Sequence, residues 1–351
     1  MNRSINIDKY IISRDSNPFI IAEMSGNHNQ SLDNALKIVE KAAQSGAHAI
    51  KLQTYTADTM TLDIKRSEFN IDDEKSLWDG NNLYELYNIA YTPWEWHKPL
   101  MKCANDLGLV CFSTPFDDTA VDFLEDLDVP AYKIASFENI DLPLIKKVAA
   151  TKKPIIISTG MATISEIDEA VVTAKENGCS DLILLKCTST YPASPKYINL
   201  KTIPHMRKLF NCEIGLSDHT LGIGTALGAV AFGASVIEKH FTLDRSKGGV
   251  DSAFSIEPSE LSQLVKESKQ VWQSIGAVSY GPTQEERKSI ELRRSIYITK
   301  DLKKGELLSE ENIRRIRPGN GLPPKYYELV IGRKVNSDVQ MGTPLSWDII
   351  I

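Results

Sequence analysis

No stretch of the 351 residues approaches the ~18 consecutive apolar residues of a membrane-spanning helix. The N-terminal segment MNRSINIDKYIISRDSNPFIIAEM has neither a long apolar core nor the small-residue cleavage site of a secretory signal. A cytoplasmic protein is therefore expected. Cysteine is scarce and unpatterned: Cys103, Cys111, Cys179, Cys187 and Cys212 are odd in number and show no CxxC spacing. That excludes a disulfide framework and a structural zinc site, and leaves core filling as the ordinary role of these thiols. Positive charge is also in short supply. Lys and Arg number 40 against 46 Asp and Glu, a formal charge of -6. Such a balance argues against nucleic acid or an anionic membrane as partner, and any anionic ligand must meet a local concentration of positive charge.

What is present is an ordinary globular composition, 42% hydrophobic and 25% charged, in a chain long enough for a large core and a second module. From Phe19 onward one theme repeats: a short apolar run, a polar or glycine-containing turn, then a segment of helical periodicity. The strand candidates are FIIAEM from Phe19, AIKLQTY from Ala49, LVCFSTP from Leu109, AYKIAS from Ala131, PIIISTG from Pro154, LILLKCTSTY from Leu182, EIGLSDH from Glu213 and VIEKHFT from Val236. Their runs are nearly continuous, as parallel strands buried on both faces require. Segments such as SLDNALKIVEKAAQSG and ISEIDEAVVTAKENG supply the helices. Eight such units predict an α/β TIM (β/α)8 barrel. The competing doubly wound sheet would want a glycine-rich phosphate loop after its first strand, and EMSGNHNQSL contains no GxGxxG.

Two segments exceed a minimal barrel. Residues 57–91 form a polar and aromatic insertion after the second strand, expected over the barrel mouth as a lid or binding loop, or else as a packing flap at a subunit contact. Near Arg293 the pattern changes to short strands and turns. The expected division is a barrel over 1–280, a linker over 281–292 and a small C-terminal domain over 293–351. A core of that size is marginal alone and would gain by docking on something larger, such as a partner subunit.

In barrel enzymes the functional groups project from the C-terminal strand ends. Polar residues gather there in every unit: Glu23, Asn27 and His28; Lys51 and Gln53; Ser113 and Thr114; Lys133, Ser136 and Glu138; Ser158 and Thr159; Lys186, Thr188, Ser189 and Tyr191; Ser217, Asp218 and His219; Glu238, Lys239 and His240. Any one could be a satisfied structural group, but stability alone does not call for their repetition. His219 and His240 end neighbouring strands, so their imidazoles can converge on one divalent ion, with Glu23 and Asp251 as acidic candidates nearby; a lone histidine there would more simply be a hydrogen-bonded structural residue. Two nitrogens with water and carboxylate suit Mn²⁺ or Mg²⁺. Lys51 and Lys133, with the hydroxyls of Thr114, Ser136, Ser158, Ser189 and Ser217, describe an anion cradle for phosphate and carboxylate. The simpler account of each lysine is a buried ion pair with a nearby acid.

The motifs IAEMSGNHNQS, AIKLQTY, FSTPFD, YKIASFE, IISTGMAT, KCTSTYP, IGLSDHT and VIEKHFT resemble, in order, those of the sialic acid synthase family. RPGNGLPP resembles that family's C-terminal antifreeze-like (SAF) domain. LWDGNNLYELYNIAYTPWEWH and CTSTYPASP look most like its pseudaminic acid branch. The resemblance implies a transferase that condenses phosphoenolpyruvate with an open-chain N-acetylated amino sugar. In the pseudaminic branch that sugar is 2,4-diacetamido-2,4,6-trideoxy-altrose; water attacks C2, phosphate leaves by C–O cleavage, and a nine-carbon keto acid results. It implies His219 and His240 as ligands of a divalent metal (Mn²⁺ or Mg²⁺) and, with Glu23, as the catalytic set. Lys51, Thr114, Lys133, Ser136, Ser158, Ser189 and Ser217 would bind phosphoenolpyruvate, Ser189 standing where the neuraminate enzymes carry asparagine. Gln53, Glu138, Tyr191 and Asp251 would meet the sugar, together with Arg317 reaching across a domain-swapped homodimer. Neuraminate or legionaminate synthesis is the alternative within the family. A Schiff-base pyruvate aldolase using Lys133 or Lys186 is the alternative outside it. A non-enzymatic carbohydrate- or ice-binding protein would not need Glu23, Lys51, Lys133, His219 and His240 together.

Overall fold

A computed structural model describes residues 4–74 and 76–351; Met1–Arg3 and Lys75, which fall within the expected barrel range, lie outside the described residues. The chain divides into two compact units, Met1–Gly276 and Ala277–Ile351.

The first unit begins with an antiparallel hairpin of β1 (Ile5–Ile7) and β2 (Tyr10–Ile12), turned at Asp8 with φ 52°. Eight parallel strands follow: β3 (Phe19–Glu23), β4 (Ala49–Thr54), β5 (Val110–Pro115), β6 (Tyr132–Ile134), β7 (Ile155–Ser158), β8 (Leu182–Cys187), β9 (Glu213–Asp218) and β10 (Val236–His240). They pair in chain order and close, β10 against β3, with His240 opposite Glu23. All eight expected strands form, each within the run that announced it. The helices between them start where their sequences provide caps. Ser31 accepts from the Asn34 N–H ahead of helix Leu32–Gln44, and Thr163 and Glu166 make a reciprocal capping box on helix Ile164–Glu176.

Side chains alternate across each strand, and this two-residue period sorts the barrel into two cores. Ile20, Ile50, Ile157, Leu184, Leu216 and Ile237 face outward and pack under the helices. Phe19, Ile21, Phe112, Ile156, Leu185 and Val236 point to the barrel interior, where Ile5, Ile7 and Ile12 of the hairpin join them. The hairpin thus plugs the N-terminal end of the barrel. In β9, Gly215 admits the crowded interior: a Cβ there would lie 2.3 Å from the Val236 carbonyl oxygen and 2.6 Å from Leu185 Cδ2. With the lower interior filled by hydrocarbon, inward positions at the C-terminal strand ends are left for polar groups.

The second unit pairs β11 (Ser295–Ile298) antiparallel with β12 (Ile313–Ile316) over a small core of Ile296, Ile298, Leu308, Ile313, Val330, Val335 and Leu345. The segment expected as a linker carries a 3-10 helix, Glu285–Leu292, inside this unit. No helix among the described residues is long and apolar enough to cross a membrane.

Candidate active site

The alternation that fills the barrel floor with isoleucine delivers Glu23, Lys51, Gln53, Thr114, Lys133, Ser158, Ser217, Glu238 and His240 to the inner face of its upper rim. The lysines are 4% and 1% exposed. Lys51 Nζ lies 3.3 Å from Glu23 Oε2 and 3.0 Å from Glu238 Oε2, and Lys133 Nζ is 3.8 Å from Glu238 Oε1. Glu238 is therefore the counter-ion of both ammonium groups, a role the sequence did not single out. Its register was the available signal, since it stands two residues before His240 and so shares the inward face. Burial pushes the Glu238 carboxyl up, but Lys133 and Lys51 outweigh burial and hold it at about 2. Burial pushes Lys133 down to about 8, opposed by Glu238 and reinforced by the charge of Lys51. Burial pushes Lys51 down too, but Glu23 and Glu238 together outweigh it and hold its ammonium above the ordinary lysine value.

Hydroxyls surround the lysines. Thr114 Oγ1 and Ser158 Oγ are buried with no hydrogen-bond partner among the described residues, and Ser217 Oγ donates to Glu238 Oε1 at 3.0 Å. Ser136 Oγ accepts from the Gly160 N–H at 3.1 Å. A Cβ on Gly160 would stand 2.1 Å from Ser189 Oγ and 2.7 Å from Ser136 Oγ, so only glycine leaves these two hydroxyls room. Two buried lysines, two orphaned hydroxyls and a hollow that one methyl group would fill thus share this part of the rim, and both lysines are ion-paired with Glu238, as the simpler account of them expects.

His219 and His240 converge as expected, their ring centroids 5.3 Å apart. His219 Nδ1 is 3.1 Å from the Thr188 carbonyl oxygen, which can only accept, so Nδ1 carries a proton. His240 Nδ1 is buried without a hydrogen bond and approaches Asp251 Oδ2 at 3.4 Å. Among the described residues no group of three or more His, Cys, Asp or Glu side chains is arranged as metal ligands. The two imidazoles fit an ion held by two protein nitrogens with its other positions open to water and substrate. Outside the barrel wall, Lys239 and Asp218 form a fully buried pair at 2.9 Å, and Lys239 Nζ also donates to the Thr220 carbonyl at 2.6 Å. One side chain next to His240 thereby grips the chain on both sides of His219.

On the remaining side of the rim, Gln53 Nε2 donates to Glu23 Oε1 at 2.7 Å and to Ser25 Oγ at 3.2 Å, and Ser25 Oγ donates to Asp251 Oδ2. Burial raises the Glu23 carboxyl above its ordinary value, against the pull of Lys51 and His240. Burial likewise lifts Glu138 to about 7, with Lys133 pulling the other way. The Tyr191 ring is tilted against that of His219, their centroids 4.5 Å apart, and Phe254 lies 4.9 Å from the His240 ring. The insertion covers this region: Trp78 packs 5.6 Å from Tyr191 and its Nε1 donates to the Val250 carbonyl at 2.9 Å. Trp94 and Trp96 lie elsewhere: Trp94 stacks on Phe123, and Trp96 meets His28 edge to face. Asn27 is structural, bonding the Phe241 carbonyl at 3.0 Å and Ser255 Oγ at 2.9 Å. Arg317 belongs to the second unit, exposed at the end of β12.

The NeuB family matches residues 38–280 and the SAF domain matches residues 293–350. The chain is 44% identical to a pseudaminic acid synthase of Campylobacter jejuni, over 94% of this chain and 96% of that protein. It is 43% identical to a pseudaminic acid synthase of Helicobacter pylori, over 94% and 97%. Among solved structures, the N-acetylneuraminic acid synthetase of Leptospira borgpetersenii superposes with a TM-score of 0.74 at 32% identity, covering 83% of this chain and 96% of that one. With the expected barrel closed and its motifs in place on the rim, the chain belongs to the NeuB family of sialic acid synthases.

Proposed function

We propose that the protein is a pseudaminic acid synthase, acting in the cytoplasm, that joins phosphoenolpyruvate to 2,4-diacetamido-2,4,6-trideoxy-altrose. The observation that carries this reading is the pairing of a two-lysine anion cradle with two converging imidazoles on one rim, in a chain 44% identical to a pseudaminic acid synthase. The neuraminate alternative has the weaker support, 32% identity to the Leptospira enzyme.

Lys51 and Lys133 hold the phosphate and carboxylate of phosphoenolpyruvate, with Thr114, Ser136, Ser158, Ser189 and Ser217 donating around them. A divalent ion such as Mn²⁺ or Mg²⁺, held by His219 and His240, would supply Lewis-acid polarisation of the sugar aldehyde. Gln53, Glu138, Tyr191 and Asp251 orient the sugar so that its aldehyde carbon faces C3 of phosphoenolpyruvate. The C3–C1 bond forms, the aldehyde oxygen gains a proton, and water adds at C2. The C2–O bond then breaks, phosphate departs with the bridging oxygen, and C2 becomes a ketone. Glu23, buried beside Lys51 with its carboxyl raised by burial, is placed to hold and return the proton in these steps.

Two copies exchange their second units in this account, so that Arg317 completes the sugar site of the neighbouring subunit. Its exposure, the small core of its unit, and the excess of Lys and Arg over Asp and Glu in 277–351 within a chain of net charge -6 support the exchange. The test of the reaction uses phosphoenolpyruvate labelled with ¹⁸O in the bridging position. The proposal expects the label in released phosphate and a nine-carbon acid in equal amount. Label retained in the organic product would overturn it.

A further inference from the structure

Ser25 lies outside every assignment made so far, and it is the most constrained residue on the sugar side of the rim. It follows β3 directly after Met24, is 4% exposed, and holds φ at 46°, in the left-handed region that a serine enters at a cost. Backbone strain of this kind persists where surrounding contacts fix it, and here the contacts belong to the side chain. The hydroxyl accepts from Gln53 Nε2 at 3.2 Å and donates to Asp251 Oδ2. Gln53 reaches on to Glu23 Oε1 at 2.7 Å, and Asp251 Oδ2 approaches His240 Nδ1 at 3.4 Å. One hydroxyl therefore joins the proton-holding acid to the second imidazole, through the two side chains proposed to meet the sugar.

The direction of each bond is fixed. An amide N–H can only donate and a carboxylate can only accept, so the serine proton points to Asp251 and its lone pair to Gln53. Neither neighbour is free to turn while the hydroxyl is in place. The loop is held from below as well: Asn27 Nδ2 donates to Ser255 Oγ at 2.9 Å, and Ser255 Oγ donates to the Asp251 carbonyl at 2.7 Å. The strand end and the segment carrying Asp251 thus keep their spacing with or without the serine hydroxyl, which isolates its contribution to side-chain aim.

We infer that Ser25 is a positioning residue for the amino-sugar substrate, locking the rotamers of Gln53 and Asp251 so that both present their polar atoms to it. The inference rests on the synthase reading, from which the sugar contacts of Gln53 and Asp251 come. Its chemistry selects a substrate with adjacent donor and acceptor groups, as an acetamido-substituted open-chain sugar has, and makes no demand on phosphoenolpyruvate.

The experiment compares wild type, Ser25→Ala and Ser25→Gly in steady-state phosphate release, varying each substrate in turn, with thermal unfolding measured alongside. Both variants should raise the sugar KM about tenfold or more, the effect of one lost hydrogen bond to a charged group, and leave the phosphoenolpyruvate KM unchanged. Ser25→Gly should do so with a smaller fall in Tm than Ser25→Ala, because glycine adopts this φ freely. A structural role alone would move Tm and not split the two KM values. If Ser25→Ala does not fold, Ser25→Gly decides. An unchanged sugar KM in Ser25→Gly beside an active wild type overturns this inference only; a wild type inactive with every amino sugar overturns the synthase reading and this inference with it.

Discussion

At the scale of single residues, the rim is governed by one carboxylate serving two buried amines. Lys133, pushed down to about 8, is charged below that pH and loses its charge above it, so kcat/KM for phosphoenolpyruvate should fall as pH rises through about 8. Removing the counter-ion by Glu238→Gln withdraws the main influence opposing burial, and that basic limb should move to lower pH. A limb unmoved by Glu238→Gln would show that Lys133 does not set it. Gly160 offers a steric counterpart. Gly160→Ala places a methyl 2.1 Å from Ser189 Oγ, and the account predicts a phosphoenolpyruvate KM raised by an order of magnitude or more with the sugar KM little changed.

Among the elements, the last two strands of the barrel, β9 and β10, carry the imidazoles at their C-terminal ends and are tied from outside by Lys239. Lys239→Met leaves Asp218 buried without its counter-ion, and a loss of about 3–5 kcal/mol is expected in urea unfolding. The double variant Lys239→Met, Asp218→Leu should recover much of it, since no charge is then stranded; equal losses in single and double variants would contradict this. These strands were legible in the sequence from their apolar openings, IGL and VI, at the places where the repeating strand-turn-helix theme calls for a strand. The hairpin of β1 and β2 was not, because INI and YII are three residues each and too short to show a period. The same contrast holds in the site. Lys51, Lys133, His219 and His240 announce themselves by type and position at strand ends. Ser25 and Glu238 act through partners 226 and 187 residues away in the chain, a proximity that only barrel closure creates.

On the scale of the whole molecule, the proposed pairing of two chains assigns the second unit's exposed Arg317 a role that can be tested. If Arg317 serves the neighbouring barrel, mixing inactive His240→Asn with inactive Arg317→Ala chains should regenerate activity. Half of the dimers would be mixed, and one of their two sites would have both an intact barrel and an intact arginine, giving about a quarter of wild-type rate after exchange. No recovery would place the arginine's work within its own chain. The central claim, that this rim joins phosphoenolpyruvate to one particular amino sugar, is met most directly by phosphate release with Mn²⁺. The trial offers 2,4-diacetamido-2,4,6-trideoxy-altrose, its legionaminate-type counterpart and N-acetylmannosamine in parallel, with a chelator control. Release with the first sugar, abolished by chelation, is the predicted result; preference for another sugar would contradict the substrate, and no release with any would contradict the assignment of the site.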